Sequence, residues 1–247
     1  MNGEDALTLT DHLRELRYRL ILSLSATAVA SVLAYAVIEP VFSALARPLL
    51  DVLPPGSSFV FTSYPEAFFT YMKLSVACGI FLASPVILYH IWAFVAPGLY
   101  AHERKVLLLL VFSSSVFFIA GGLFGYFVVF PAAFRFLAGY TGENLKLLPS
   151  VSDYVTLILR LFLGFGFAFE LPVALTLLGW MGLVDSRAMR RNRKYALLAA
   201  FFIGAVLTPT PDILNQTLLA LPVYLLYEVS ILTVGIVGRR RPKEDLS

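Results

Sequence analysis

The sequence is poor in charged residues and has almost no cysteine. Of its 247 residues, 14% are Asp, Glu, Lys or Arg, whereas 59% are hydrophobic and the mean hydropathy is +0.81. A soluble globular protein needs a polar surface, so this composition excludes that class and predicts a membrane protein. The one cysteine, Cys78, excludes an internal disulfide and argues against a redox function.

Motifs typical of enzymes are also missing. The sequence contains neither the phosphate-binding pattern G-x-x-x-x-G-K-[ST] nor the zinc pattern H-E-x-x-H, and its three histidines are scattered. The serines at 113–115 have no base at helical spacing. The net charge of +3 is too small and too dispersed to predict binding of nucleic acid. We therefore expect no catalytic residues, no metal, no cofactor and no nucleic-acid partner.

Six continuous apolar runs account for most of the chain. One membrane crossing takes about 20 helical residues, and a membrane β-barrel would instead show short alternating segments. The predicted spans are Leu20–Ile38, Tyr71–Val95, Val106–Phe130, Asp153–Trp180, Tyr195–Leu207 and Ile213–Val237. The sequence thus predicts an all-α polytopic membrane protein with a single transmembrane domain over residues 1–247.

Basic residues predict the orientation of these spans. Fourteen of the 19 Lys and Arg residues fall on one side of the membrane, and three fall on the other. Because basic residues near span ends stay in the cytoplasm, we expect both termini there, with residues 1–19 as a cytoplasmic segment and 238–247 as a basic tail. The expected location is the inner, or cytoplasmic, membrane of a cell.

The fifth span is unusually short. Its 13 residues rise about 20 Å, whereas the hydrocarbon layer is about 30 Å thick. Pro209 and Pro211 end this helix, and Asp212 is placed to cap the next one. A short helical hairpin of this kind thins the bilayer or packs against partner helices.

Several polar residues lie inside the predicted spans, which predicts a function for them. Counted from the cytoplasmic ends, Glu170 and Glu228 share a depth of about 15 Å, and Gln216 lies about 30 Å away, near the outer face. A role of Glu170 in transport and a structural hydrogen bond to a neighbouring helix are both open. Prolines in the second, fourth and sixth spans predict kinks and a concave, cupped bundle. Gly121 and Gly125 predict close helix packing.

Taken together, several separate motifs resemble the TatC family of twin-arginine protein translocases. The resemblance runs from about Leu9 to Ser230, and one departure is Thr210, where the family usually has proline. The motifs are 11–20 (DHLRELRYRL), 84–100 (SPVILYHIWAFVAPGLY), 102–104 (HER), 165–172 (FGFAFELP), 208–212 (TPTPD), 221–222 (LP) and 227–228 (YE).

The resemblance implies a receptor for folded preproteins that carry twin-arginine signal peptides, driven by the protonmotive force. It implies assembly with single-span partners of the TatA and TatB type, in a membrane-lipid environment and within a homo-oligomer. The residues that it assigns to signal-peptide binding are Glu15, Glu103, Arg17 and Phe94. It implies that Pro48 and Phe68 matter for partner assembly or activity, in an external loop that we expect to form a cap with amphipathic turns. Asp212 is a further candidate for a partner or cap role.

The sequence leaves open a simpler role for Glu15 and two other functions for the protein. Glu15 and Arg19 are four residues apart on a predicted helix and can pair with each other. A small-solute or ion-coupled transporter would also use intramembrane carboxylates, although we expect neither broken helices nor an inverted repeat. An intramembrane enzyme is the weaker rival, because no nucleophile and base are clustered.

Overall fold

The computed structural model describes residues 9–50, 59–61, 63–95, 104–138, 150–208 and 212–238. These residues are almost entirely helical, and their one β-type contact is an isolated bridge between Val60 and Ser150. The helices are α1 (Leu9–Tyr35), α2 (Ile38–Leu50), α3 (Glu66–Val95), α4 (Arg104–Phe124), α5 (Phe130–Ala138), α6 (Val151–Phe169), α7 (Leu171–Met181), α8 (Ser186–Arg191), α9 (Arg193–Leu207) and α10 (Ile213–Gly238). A π-helical turn, Gly125–Val129, joins α4 to α5. The predicted all-α class is confirmed.

Five helical segments among the described residues are long and apolar enough to cross a membrane. They are Thr10–Tyr35, Glu66–Val95, Leu107–Phe136, Val151–Met181 and Ile213–Val237. The predicted fifth span corresponds to α9, which has 15 residues and ends at Leu207 as predicted. Its length is about 22 Å, so it is shorter than the hydrocarbon layer. The cytoplasmic placement of the termini and the cupped shape stay predictions.

Several helices extend beyond the predicted spans. Helix α1 begins at Leu9 and so includes much of the segment expected before the membrane, and α3 begins five residues before Tyr71. Helix α5 carries the third span on to Ala138, well past Phe130. The apolar length required by the bilayer fixes only the part of a helix that lies in hydrocarbon, and further turns can continue the helix among the headgroups. Most of the basic tail lies outside the described residues.

The expected external cap needs correction. Residues 38–50 form the amphipathic helix α2, a regular element of 13 residues where amphipathic turns were predicted. Phe68, expected in the loop, lies in the first turn of α3. The reason is local, because Ser63 and Glu66 form a capping pattern that starts the helix early.

Contacts divide the chain into two compact units, and the first comprises Met1–Leu45 with Ala67–Val116. Within it, a Cβ added to Gly79 would lie 2.7 Å from the Ser31 nitrogen, so only glycine allows α1 and α3 to approach this closely. The Trp92 indole N–H donates a buried hydrogen bond of 2.8 Å to the Ser114 hydroxyl, which joins α3 to α4. The single domain predicted over residues 1–247 stays a prediction.

The second unit comprises Ala46–Glu66 and Phe117–Ser247. Here the predicted packing role of two glycines is confirmed, because Gly121 and Gly125 lie against the α6 backbone at Phe165 and Leu161. Helices α9 and α10 also approach closely, since a Cβ on Gly204 would lie 2.9 Å from the Gln216 carbonyl oxygen. Small residues therefore set the spacing of these helices.

Proline interrupts the fourth span. Pro85 and Pro222 lie inside α3 and α10, whereas the fourth span ends as α6 at Phe169 and resumes as α7 at Leu171. Pro172 has no N–H to donate within the helix, which accounts for the break. Glu170, the one residue between α6 and α7, keeps a right-handed helical conformation (φ −72°, ψ −17°), and Val151–Met181 is one membrane-length helical segment, so the fourth span is kinked and not unwound.

Candidate functional site

One face at the beginning of α1 contacts the end of α3. His12, Glu15 and Arg19 share this face, since residues three or four positions apart lie side by side on a helix. The His12 ring stacks on the Phe94 ring, with a centroid distance of 4.3 Å and an interplanar angle of 20°. We call His12, Glu15, Arg19 and Phe94 the α1–α3 site.

A carboxylate in this site already holds a guanidinium group. The Nε and Nη2 atoms of Arg19 donate to Glu15 Oε1 at 2.8 and 2.5 Å. The side chains of Glu15 and Arg19 are 33% and 17% exposed, so water only partly screens the pair. The ion pair left open by the sequence is thus confirmed, with both N–H groups donating to the same carboxylate oxygen.

The other residues predicted for signal-peptide binding are placed differently. Arg17 is exposed on α1, outside the stacked face. Glu103 lies outside the described residues. Sequence reasoning missed His12 as the neighbour of Phe94, although its position three residues before Glu15 on a predicted helix was the available signal.

Glu170 stands at the break between α6 and α7. Both of its carboxylate oxygens have less than 1 Å² of accessible surface. Its backbone N–H donates to the Phe167 carbonyl at 3.1 Å, and its own carbonyl accepts from Ala174 at 2.8 Å. The carboxylate is therefore fixed at the kink that Pro172 creates, away from solvent.

Glu228 does not share the environment of Glu170. Arg193, the first residue of α9, donates to Glu228 Oε2 at 2.6 Å, and the Tyr224 hydroxyl donates to Oε1 at 2.8 Å. The Glu228 side chain is 27% exposed and that of Arg193 is 50% exposed. We expected Glu170 and Glu228 to lie in one deep layer. The structure instead places Glu228 in a partly exposed ion pair with Arg193, at the start of α9. The depth estimate could not include Arg193, which is 35 residues away in the chain.

Gln216 and Asp212 organise the connection between α9 and α10. Asp212 Oδ1 accepts a 2.7 Å hydrogen bond from the Asn215 backbone N–H, so its predicted capping role is confirmed. The Gln216 side-chain amide donates to the Phe201 carbonyl at 3.0 Å, which links α10 to α9. Both residues thus have structural roles at this end of the hairpin.

The residues predicted for the cap fall on two different helices. Pro48 lies in α2, and the Phe68 ring is exposed and packs edge-on against Phe69 at 5.5 Å. Sequence reasoning missed Glu66, which is only 7% exposed. It accepts hydrogen bonds of 2.7 Å from the Ser150 hydroxyl, 3.1 Å from Ser152 N–H and 3.2 Å from Ser63 N–H. The pattern Ser63-x-x-Glu66 was the signal that could have identified part of this cluster.

Comparison with known proteins gives one consistent result. The family model described as Sec-independent protein translocase protein (TatC) matches residues 11–222. A Sec-independent protein translocase protein TatC from Desulforapulum autotrophicum is 42% identical over 242 residues, which are 98% of this chain and 89% of the relative. The protein of that name from Escherichia coli strain K12 is 41% identical over 246 residues, which are 99% of this chain and 95% of the relative.

A solved structure is similar in fold as well as in sequence. The crystal structure of a twin arginine translocase receptor, TatC, superposes with a TM-score of 0.82 at 40% identity. The match covers 92% of this chain and 100% of that one.

Proposed function

Because the chain belongs to the TatC family of Sec-independent protein translocase proteins, we propose that it is the receptor subunit of a twin-arginine translocation system and binds twin-arginine signal peptides at the α1–α3 site. The receptor is a translocase component and not an enzyme. The observation that carries the proposal is the contact between the Glu15 carboxylate and a guanidinium group in a partly desolvated position.

The chemistry of this site favours arginine over lysine. A carboxylate accepts two parallel N–H groups from the planar guanidinium, whereas an ammonium group is a compact and strongly hydrated charge. Glu15 offers one carboxylate, and Glu103 supplies the second for the adjacent arginine of the signal. Phe94, held by its stack on His12, adds an apolar surface to the α1–α3 site.

Arg19 competes with the incoming signal in this arrangement. A guanidinium group that binds Glu15 must displace Arg19, and the positive charge of Arg19 also repels the signal. Replacing Arg19 by glutamine is therefore expected to tighten binding of a twin-arginine peptide about fivefold, since a partly exposed ion pair contributes about 1 kcal/mol. Fluorescence anisotropy of a labelled peptide with the purified protein measures this change. Arg14→Gln, which removes the same charge from an exposed position on α1, is the matched control. Weaker binding by Arg19→Gln than by Arg14→Gln would contradict the competition.

The remaining parts of the proposal concern topology and partners. The excess of basic residues on one side supports cytoplasmic termini in an inner membrane, which brings the α1–α3 site to the side where preproteins are made. Helix α9 is too short to span alone, and this supports docking of a single-span TatA- or TatB-type helix beside the α9–α10 hairpin. The receptor works as one of several copies in such an assembly, and transport draws on the protonmotive force.

Glu170 is the candidate for a polar contact within the membrane. Its carboxylate oxygens are buried at the kink of the fourth span, so a polar group from the signal peptide or from a partner helix reaches them only when the neighbouring side chains move aside. Glu170→Ala is expected to lower transport of a twin-arginine reporter at least tenfold, and Glu170→Gln is expected to retain more activity, since glutamine keeps an acceptor at a buried site. Export of a folded reporter to the periplasm measures both variants, with membrane levels of the protein as control. If the two variants transport the reporter equally well, the acceptor oxygen of residue 170 has no role and Glu170 serves only in packing.

Photo-cross-linking tests the proposed function directly. Probes around Glu103 should capture a signal peptide with its arginine pair and fail to capture the same peptide with a lysine pair.

The rival function, a small-solute transporter, is tested by measuring solute-driven currents in vesicles that contain this protein alone. The interrupted fourth span fits either function, but the match over residues 11–222 is to a protein translocase family, which does not favour the rival.

A further inference from the structure

A short connection follows the fourth span and bears no residue of the α1–α3 site. Gly182 adopts a left-handed conformation with φ 78°, which reverses the chain after α7. The Leu183 N–H then donates to the Leu178 carbonyl at 2.9 Å. Helix α8 is held against α10 by buried Met189, whose carbonyl accepts a 2.9 Å hydrogen bond from the Tyr227 hydroxyl. The loop is therefore fixed on the end of the sixth span.

A cavity of about 340 Å³ lies between this loop and α10. Ser186, Arg187 and Arg190 line one side, and Val234 and Gly235 line the other. A Cβ on Gly235 would lie 3.6 Å from the Ser186 hydroxyl oxygen, so any larger side chain there would project into the cavity. The absence of a side chain at Gly235 thus keeps the space between the two elements open.

The charge of the cavity wall is positive. Arg187 and Arg190 are both exposed and line it, and Asp185 is the one acidic residue among its lining residues. Arg191 and Lys194 lie nearby in the chain, outside the lining, whereas Arg193 is engaged by Glu228. Two guanidinium groups beside one carboxylate leave a net attraction for an anion that carries acceptor oxygens.

Apolar side chains flank this basic cavity in the chain. Leu183 is 69% exposed just before it, and Ile236 is 59% exposed just after Gly235. Trp180, 37% exposed, stands at the end of α7, where an indole suits the boundary between headgroups and hydrocarbon. A small soluble anion would contact only the basic cavity. A lipid would contact both the cavity, through its headgroup, and the apolar side chains, through its acyl chains.

We propose that this cavity binds the phosphodiester headgroup of an anionic phospholipid, with its acyl chains along the exposed apolar residues at the ends of α7 and α10. Arg187 and Arg190 donate to the phosphate oxygens, and Ser186 adds a hydroxyl donor. The loop is the most basic connection in the chain, and it lies on the side assigned to the cytoplasm, where leaflets are anionic. Such a lipid joins the loop to the sixth span and is independent of signal-peptide binding.

Native mass spectrometry of the delipidated full chain, titrated with phosphatidylglycerol, tests the proposal. The double variant Arg187→Gln/Arg190→Gln is expected to weaken lipid binding about tenfold. Arg191→Gln/Lys194→Gln, with the same change of charge outside the cavity, is expected to change it less than twofold. Gly235→Leu fills the cavity at constant charge and is expected to weaken binding to a similar extent as the arginine variant.

Two further arms separate the possible ligands. Phosphatidylcholine is expected to bind at least several times more weakly than phosphatidylglycerol, and inorganic phosphate in millimolar excess is expected not to displace the lipid. Displacement by phosphate would mean that the site recognises a free anion and would overturn the lipid assignment. Equal losses in the two charge variants, or normal binding by Gly235→Leu, would show that dispersed surface charge holds the lipid and would overturn the site. Since the altered arginines are exposed, the protein should stay folded, which its thermal unfolding midpoint checks.

Discussion

Glu15→Ala is expected to abolish cross-linking of a twin-arginine signal peptide, and Glu103→Ala is expected to do the same. In the proposed mode of binding, each substitution removes the carboxylate that accepts hydrogen bonds from one guanidinium group of the signal peptide. Truncating one partner of a partly desolvated charge pair costs about 3 kcal/mol, or roughly 100-fold in affinity. Photo-cross-linking with a probe at a fixed position near Phe94 measures the loss, because Phe94 is ordered by its stack on His12.

The control for this prediction is Glu39→Ala. Glu39 is an exposed carboxylate in the first turn of α2, outside the α1–α3 site, and its loss should leave cross-linking unchanged. Unaltered membrane levels and protease resistance establish that the variants are folded. Normal cross-linking by both Glu15→Ala and Glu103→Ala would refute the assignment of the site. Equal cross-linking of twin-lysine and twin-arginine peptides to the unchanged protein would refute the specificity.

Gly121→Ala is expected to destabilise the second unit by about 2 to 3 kcal/mol, a large loss for one methyl group. The added Cβ would lie 2.8 Å from Phe169 Cβ and even nearer to the Phe165 carbonyl oxygen. Because the closest atom belongs to the α6 backbone, it cannot move aside as a flexible side chain would. Helices α4 and α6 must separate, and the ring packing of Phe165 and Phe169 against Phe124 is lost with them.

Gly235→Ala is the matched control for this change. It adds the same methyl group to a helix of the same unit, but its Cβ would meet the Ser186 hydroxyl at an ordinary distance of 3.6 Å. Both variants gain the same helix propensity, so the difference between them isolates the packing effect. Thermal unfolding in detergent, followed by circular dichroism, measures the two midpoints. Equal midpoints would mean that the α4–α6 contact tolerates an alanine.

The helical class, the short α9 and the cap at Asp212 were predictable because each depends on residues close together in the chain. An apolar run of a given length predicts a span without knowledge of its neighbours. Asp212 directly precedes the first residue of a helix, and this position alone predicts a helix cap. Its hydrogen bond from the Asn215 N–H confirms the cap. Gly121 and Gly125 were predictable as a spacing on one helix, although the helix they pack against was not.

The contacts that give the polar residues their roles depend on distant parts of the chain. Nothing near Glu228 indicates that Arg193 reaches it from the start of α9, and counting residues placed the carboxylate in a layer with Glu170. The Phe94 ring meets His12 only because α1 continues well before its apolar part and packs against the end of α3. Periodicity and hydropathy describe one helix at a time, so they could not supply these pairings.

Side-chain contacts join α9 to α10 at both ends of the hairpin. Gln216 holds the Phe201 carbonyl near the turn, and Glu228 holds Arg193 where α9 begins. Sliding one helix past the other to gain length would break both contacts, so they oppose such a shift. Because α9 alone is too short, we expect the acyl chains beside it to compress, which stores elastic stress in the lipid next to this hairpin.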